Sequence, residues 1–226
     1  MPVVQLVAYT KLAESFLDNR EVPLDVDMMP VLAARVSHSQ DSRTGEEPAK
    51  DLRLMQYLAD HKHMSPFEHT TATFYIECPI FVAREMMRHR SISFNEESMR
   101  YSGKNIGAYW EPTEYRKQDE KNKQSSSGSI AEAEKASAIV CQAYAQATKA
   151  YYSLIELGVA RELARSVIPV GHTTRFYATA NLRGWAHYCD LRQSADAQVE
   201  IQQVANKVSE ILKGIYPKSW EVLKGD

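Results

Sequence analysis

The chain has 226 residues, 44% of them hydrophobic, enough to bury a continuous core without disulfides or metal. Its formal net charge of -2 excludes a general nucleic-acid binder, whose affinity rests on surplus Lys and Arg, so any basic site must be local. Cys78, Cys141 and Cys189 are odd in number and widely spaced, which excludes a disulfide framework or structural zinc and reads as three buried small hydrophobes in a reducing compartment.

Met1 to Thr10 reads as a strand rather than an export signal. No later apolar run approaches membrane-spanning length, so a soluble cytoplasmic protein with no membrane contact is expected. Met29 to Val36 has the content of a short helix, and Ser39 to Glu47 that of a polar loop. Lys50 to Lys62 forms an amphipathic pattern punctuated by Ser65-Pro66. The β-branched and aromatic content from His69 to Cys78 argues for a strand. Pro79 can open a helix over Ile80 to Arg88, because its missing N–H costs nothing in the first turn. Ile80, Ala83 and Met87 mark one side of that helix, with Arg84 and Arg88 a turn apart on another.

Tyr115 to Ser129 is charged and then Ser-rich, with little to bury, and reads as a mobile surface loop placed to act as a lid. A long helix follows from Ile130 to Leu157, stopped by Gly158, and a short one from Arg161 to Ile168, ended by Pro169. His172 to Ala180 is a second strand. Leu182 to Leu191 and Ala195 to Ile215 are helical, the latter with Ile201, Val204, Val208, Ile211 and Ile215 facing one way. Without strict strand-helix repetition, internal repeats or a long linker, this order predicts a single α+β domain over residues 1–226.

The helix ending at Arg88 delivers the most informative stretch, Arg88 to Ser102, which crowds three guanidinium groups among Ser and Asn side chains. Two unit charges about 4 Å apart interact by roughly 4 kcal/mol at an effective dielectric of about 20, so such crowding demands counter-charge. Glu96 and Glu97 supply some of it. The Arg fork matches phosphate oxygens two at a time, which makes a nucleotide-type ligand the first hypothesis. No Gly-x-Gly-x-x-Gly or Gly-Lys-Ser/Thr phosphate loop follows any predicted strand, so Arg and His side chains must do that work. An RNA-binding module, motivated by Phe94 and Tyr101 within the same run, would be colourless and salt-sensitive. His61, His63 and His69 with Glu68 and His89 could suggest a metal. His61 and His63 diverge at a helix end and His-Glu-x-x-His is missing, so no metal is expected.

Arg88, His89, Arg90 and Ser98 satisfy a signature of Arg-His-Arg followed after seven residues by Ser, and Ser93, Asn95 and Arg100 satisfy its longer form. In this the chain resembles the flavin-dependent thymidylate synthases. Three further blocks match in the same order: His63 to His69, Arg161 to Pro169, and Thr174 through Arg192 to Gln198. The resemblance covers about His63 to Gln203 and implies a mainly antiparallel sheet flanked by helices, assembled as a homotetramer with shared active sites.

It also implies roles. Ser65, Arg88, His89, Arg90, Glu96, Asn181, Arg183 and His187 would lie on the FAD side. Glu96, Glu97, Ser98, Met99 and Arg100 would cradle dUMP, with Arg88 bridging the ligands, Arg165 on the phosphate, Glu85 close by, and Arg192 at the uracil ring. NADPH and 5,10-methylenetetrahydrofolate would complete the reaction, with small molecules rather than nucleic acid as partners. Three positions depart from the family pattern: Glu85 stands for a frequent Gln, Met99 for Gly and Asp196 for His.

The chemistry gives these roles a physical sense. Methylation at C5 of a pyrimidine requires electron density to be pushed into the ring. None of the three cysteines has an activating setting for attack at C6. A guanidinium beside the N3 and O4 edge can instead stabilise the ring anion, and Arg192 is the candidate catalytic residue. Ser98 has no adjacent base, so its hydroxyl is assigned to binding rather than attack.

Overall fold

The computed structural model describes residues 1–13, 26–37 and 48–225; the polar loop expected at Ser39 to Glu47 lies outside them. Four strands form one antiparallel sheet: β1 (Val3–Tyr9), β2 (Thr71–Pro79), β6 (Thr173–Asn181) and β3 (Ser93–Glu96), in the order β1-β2-β6-β3. The long inner strands show why. On β2, Ala72, Phe74, Ile76 and Cys78 are buried while Thr71, Thr73, Tyr75 and Glu77 are not, the period-two pattern of a half-covered strand. Opposite them on β6 stand Ala180, Ala178, Phe176 and Thr174, and the large Phe74 ring faces the small Ala178. The other face stays open, lined by the Thr73–Thr179 hydrogen bond (2.9 Å), the Tyr75–Tyr177 ring pair and the Glu77–Arg175 ion pair (2.9 Å).

Helices cover the buried face. They are α1 (Met29–Val36), α2 (Pro48–Asp60), α3 (Ile80–Met86), α6 (Leu182–Arg192), α7 (Val199–Ile215) and α8 (Pro217–Lys224). Trp185 of α6 meets Phe74 edge-on at 5.1 Å and donates from Nε1 to the Ala72 carbonyl at 3.0 Å, so its one polar atom is satisfied inside the core. Ile201, Val204, Ala205, Val208 and Leu212 give α7 its buried stripe. The Asp27 carboxylate accepts from the main-chain N–H groups of Lys218 and Ser219, capping α8 from the far end of the chain. The remaining helices, α4 (Ala133–Glu156) and α5 (Arg161–Ala164), enclose a smaller apolar cluster of Ile106, Tyr151 and Ala164, against which Met99 packs. Gly158 ends the run after α4 at φ 85°, in the left-handed region that glycine tolerates.

The expected class, an antiparallel sheet flanked by helices, is the one observed. Among the described residues no helix is long and apolar enough to cross a membrane.

Several local expectations change. Pro79 closes β2 and caps α3 in an extended conformation rather than entering the helix, and α3 buries Val82, Ala83 and Met86 rather than Ile80 and Met87. Tyr115 to Ser129 is not an unstructured lid but a two-stranded ribbon, β4 (Arg116–Gln118) and β5 (Ser126–Ser129). Its order comes from polar bonds: Asp119 Oδ1 accepts from the N–H groups of Lys121 and Asn122, and the Gln118 amide donates to the Lys123 and Ser125 carbonyls. Cys78 and Cys189 are buried, but Cys141 is exposed on α4 and is no core residue.

Candidate functional site

The signature turn leaves α3 and presents its residues alternately. His89 is buried at 7% exposure, whereas Arg88 and Arg90 on either side are exposed, and Ile92 anchors the turn in the core. The His89 N–H bonds to the Met86 carbonyl at 3.0 Å and the Ile92 N–H to the His89 carbonyl at 3.1 Å, closing two successive turns. Among the described residues neither Arg88 nor Arg90 has a hydrogen-bond or ion-pair partner. Glu96 and Glu97 do not neutralise them: Glu96 accepts from Thr174 Oγ1 at 2.6 Å and Glu97 from the Asn105 amide at 2.5 Å. Two exposed guanidinium groups without a bonded partner, on either side of a buried imidazole, form an anion-seeking surface, and Glu85 acts on Arg88 only through its field.

Helix α6 supplies the other half of this arrangement. Asn181 caps it, its Oδ1 accepting from the Gly184 N–H at 2.9 Å. Gly184 is a close approach, since a Cβ there would lie 3.2 Å from Ser91 Oγ and 3.3 Å from the Ala180 Cβ. The signature turn therefore lies directly against the start of α6. One turn further on, the Tyr188 ring stands edge-on to His89 at 5.0 Å, and His187 does so at 6.1 Å. At the end of α6, Arg192 is held by all three of its nitrogens. Nε donates to His89 Nε2 at 3.0 Å, Nη1 to Glu85 Oε2 at 3.2 Å and Nη2 to the Glu85 carbonyl at 3.0 Å. Arg183 pairs with Glu68 at 2.5 Å, which ties the 3-10 turn Ser65–His69, with Ser65 exposed at its start, to the same helix.

A second group gathers where β3 ends. The Glu97 N–H bonds to the Arg175 carbonyl at 2.8 Å, Ser98 Oγ accepts from the Arg100 N–H at 3.3 Å, and Arg100 pairs with Glu162 of α5 at 3.2 Å. Arg165, in the 3-10 turn after α5, donates from Nε to the Glu162 carbonyl at 3.4 Å. Two cations from separate sequence blocks thus share one residue.

The expected residues fall into these two groups: Ser65, Glu85, Arg88, His89, Arg90, Asn181, Arg183, His187 and Arg192 in one, and Glu96 to Arg100 with Arg165 in the other. Among the described residues no hydrogen bond or ion pair joins the groups within the chain. Glu85 forms its ion pair with Arg192.

Desolvation, Arg192 and His187 together push the His89 imidazole down to about 4, so it is neutral at physiological pH and able to accept from Arg192. Burial raises the Glu85 carboxyl, opposed by the Arg192 guanidinium, and the nearby Glu200 carboxylate raises it further. Burial also pushes the Cys78 and Cys189 thiols up to about 12, so neither offers a thiolate nucleophile. Reading the linear chain passes over Glu200, although it carries a signal, an acid on the apolar face of α7, 4% exposed and paired with Arg116 at 2.7 Å. Arg116 and Thr174 carry none.

A family model described as "Thymidylate synthase complementing protein" matches residues 24–218. The flavin-dependent thymidylate synthase of Thermus thermophilus is 39% identical over 212 residues, covering 94% of this chain and 74% of that protein. The one from Thermosipho melanesiensis is 41% identical over 197 residues, covering 86% and 84%. The chain belongs to the flavin-dependent thymidylate synthase family. Among solved structures, the UMP/dUMP methylase PolB from Streptomyces cacaoi, bound with 5-Br dUMP, superposes with a TM-score of 0.85 at 31% identity, covering 100% of this chain and 95% of that one. As a member of the family the chain is an enzyme of the methyltransferase class.

Proposed function

We propose that this enzyme methylates C5 of dUMP to give dTMP in thymidylate synthesis, with FAD as its flavin, 5,10-methylenetetrahydrofolate as carbon donor and NADPH as reductant. The observation that carries the reading is the placing of Arg192, a guanidinium held on the neutral imidazole of His89, which stands in the chain between the exposed Arg88 and Arg90. In net terms a methylene joins C5, a hydride completes the methyl group, and the C5 proton leaves. FAD, when bound and reduced at the expense of NADPH, would supply that hydride.

The chain's own residues bind and polarise. Arg88 and Arg90, exposed and without carboxylate partners, fit the pyrophosphate and ring edge of a flavin dinucleotide, with His89, Ser65, Glu96, Asn181, Arg183 and His187 completing that side. Glu97, Ser98, Met99 and Arg100 cradle the nucleotide, and Arg100 and Arg165, gathered at Glu162, bind its phosphate. Arg192 meets the N3 and O4 edge of uracil and stabilises the ring as an anion, so that C5 becomes nucleophilic without a covalent bond to the enzyme. His89 and Glu85 hold this guanidinium from behind: the neutral imidazole takes none of its charge, and the Glu85 carboxylate offsets part of it.

That no hydrogen bond or ion pair among the described residues joins the two groups within one chain supports a homotetramer in which the groups of neighbouring copies meet to share active sites. Ile139 at 61% and Tyr152 at 45% exposure on α4 offer apolar surface for such contacts. A cytoplasmic location suits this chemistry. The test is to reconstitute purified protein with FAD, record its absorption in the flavin bands, and follow dUMP by mass spectrometry with and without flavin and folate. Flavin uptake is expected on reconstitution, and a nucleotide heavier by the mass of one methylene only when all components are present. Methylation without flavin, or refusal of both flavin and dUMP, would overturn the reading.

A further inference from the structure

Helix α6 ends at Arg192 and α7 begins at Val199, so the intervening turn, Gln193 to Gln198, sets where the Arg192 side chain starts. The turn is braced internally by the Asp196 N–H to Ser194 Oγ (3.4 Å) and by the Gln202 amide to the Ala197 carbonyl (2.7 Å). It is also gripped from outside. The tip of the β4–β5 ribbon reaches it through Asn122 Nδ2, which donates to Asp196 Oδ1 at 3.2 Å. At the ribbon's base, Arg116 donates from Nη2 to Glu200 Oε1 at 2.7 Å and from Nε to Ser126 Oγ at 2.8 Å, while Gln198 donates to the second Glu200 oxygen at 2.8 Å.

These bonds are the ribbon's attachment to this region, because neither β4 nor β5 contributes a residue to the buried apolar core. They also match charges. The buried Glu200 carboxylate acts on that of Glu85, and Glu85 in turn holds Arg192. Two carboxylates are thereby assigned to two guanidinium groups, Glu200 to Arg116 and Glu85 to Arg192. With Arg116 removed, Glu200 would be left buried and unpaired beside Glu85, drawing Arg192 toward itself and away from His89.

We propose that Arg116 is a positioning residue for Arg192: its ion pair with Glu200 clamps the ribbon to the turn after Arg192 and keeps that guanidinium on His89 and Glu85. This rests on the reading of Arg192 as the group that polarises uracil. Arg116 spends its guanidinium on Glu200 and Ser126 and acts through charge assignment and through the turn.

The test compares R116Q, R116Q/E200Q and R192A in FAD-reconstituted full-length enzyme, measuring turnover of dUMP, its binding by calorimetry, and hydrogen exchange of the 193–198 amides. R116Q is expected to lose about 10- to 100-fold in kcat, with flavin retained and faster exchange in that turn. R116Q/E200Q leaves no unpaired carboxylate beside Glu85, although the shorter glutamine side chain spans less of the gap, and should recover most of the turnover and the protection. R116Q with wild-type kcat would overturn the proposal, as would a folded double variant as slow as R116Q. Should R116Q fail to fold, the double variant decides, and a folded but inactive one sinks the idea. R192A separates the two readings: wild-type turnover there removes the role of Arg192 itself, whereas an inactive R192A beside a fully active R116Q removes only the clamp.

Discussion

Arg192 Nε donates to His89 Nε2 at 3.0 Å, across 103 residues of sequence, and the direction of that bond fixes the imidazole as neutral with its proton on Nδ1. Desolvation, Arg192 and His187 hold the group at about 4, whereas an unfolded histidine titrates near about 6.5. The unfolded chain therefore binds the proton more readily. The site's stability is complete above the unfolded value and is lost as pH falls through the window toward 4.

Urea midpoints should accordingly decline between about pH 6.5 and about pH 4.5 more steeply in the wild type than in H89Q. The Gln oxygen can still accept from Arg192 but takes up no proton. Equal slopes in the two proteins would contradict the neutral-imidazole assignment.

R192A should lose about 10²- to 10³-fold in kcat, the scale seen when one electrostatic donor to a developing anion is removed. Its flavin absorption should persist, because Arg88 and Arg90 are untouched. Single-turnover measurement with saturating dUMP separates this loss from weakened binding.

R88A and R90A should each weaken the uptake of FAD, read by fluorescence titration, while leaving the melting temperature almost unchanged. Exposed side chains without partners contribute within about 0.5 kcal/mol to stability, so a large loss of folding would show that they do structural work instead.

G171A should destabilise the fold by about 1 to 3 kcal/mol, because a Cβ at this buried position would overlap the Tyr144 hydroxyl. Tyr144 has little room to move, since its ring stacks on Tyr109 at 4.2 Å with the planes 6° apart. Chemical denaturation checks the figure.

A variant with Cys78, Cys141 and Cys189 all changed to Ala should retain turnover within a few-fold of the wild type. The two buried thiols sit near 12, far from a thiolate, and their loss should appear in stability as about 1 kcal/mol each. Abolished catalysis with an intact fold would point to a covalent route.

The inner strands and most helices were legible in the linear chain because their periods are local: alternation over β2 and β6, and the apolar stripe of α7. Strand β3 was not. Ser93-Phe94-Asn95-Glu96 carries one apolar residue and becomes a strand only because the edge of β6 is there to pair with it. Helix α8 was equally silent, its first turn being capped by Asp27 from nearly two hundred residues away. The polar β4–β5 ribbon, read as a loose lid, is ordered by side-chain bonds that no hydrophobic pattern announces.

The chemistry divides along the same line. Arg88, His89 and Arg90 announced an anion-binding turn because their residue types carry that meaning wherever the backbone places them. Their exposure, the burial of the histidine between them, and the pairing of Arg192 with Glu85 and His89 came only with the packing of α6 against the signature turn. Side-chain identity states which charges are available. Three-dimensional closeness selects which of them cancel and which are left facing a ligand, since Coulomb interaction and desolvation depend on distance in space and not along the chain.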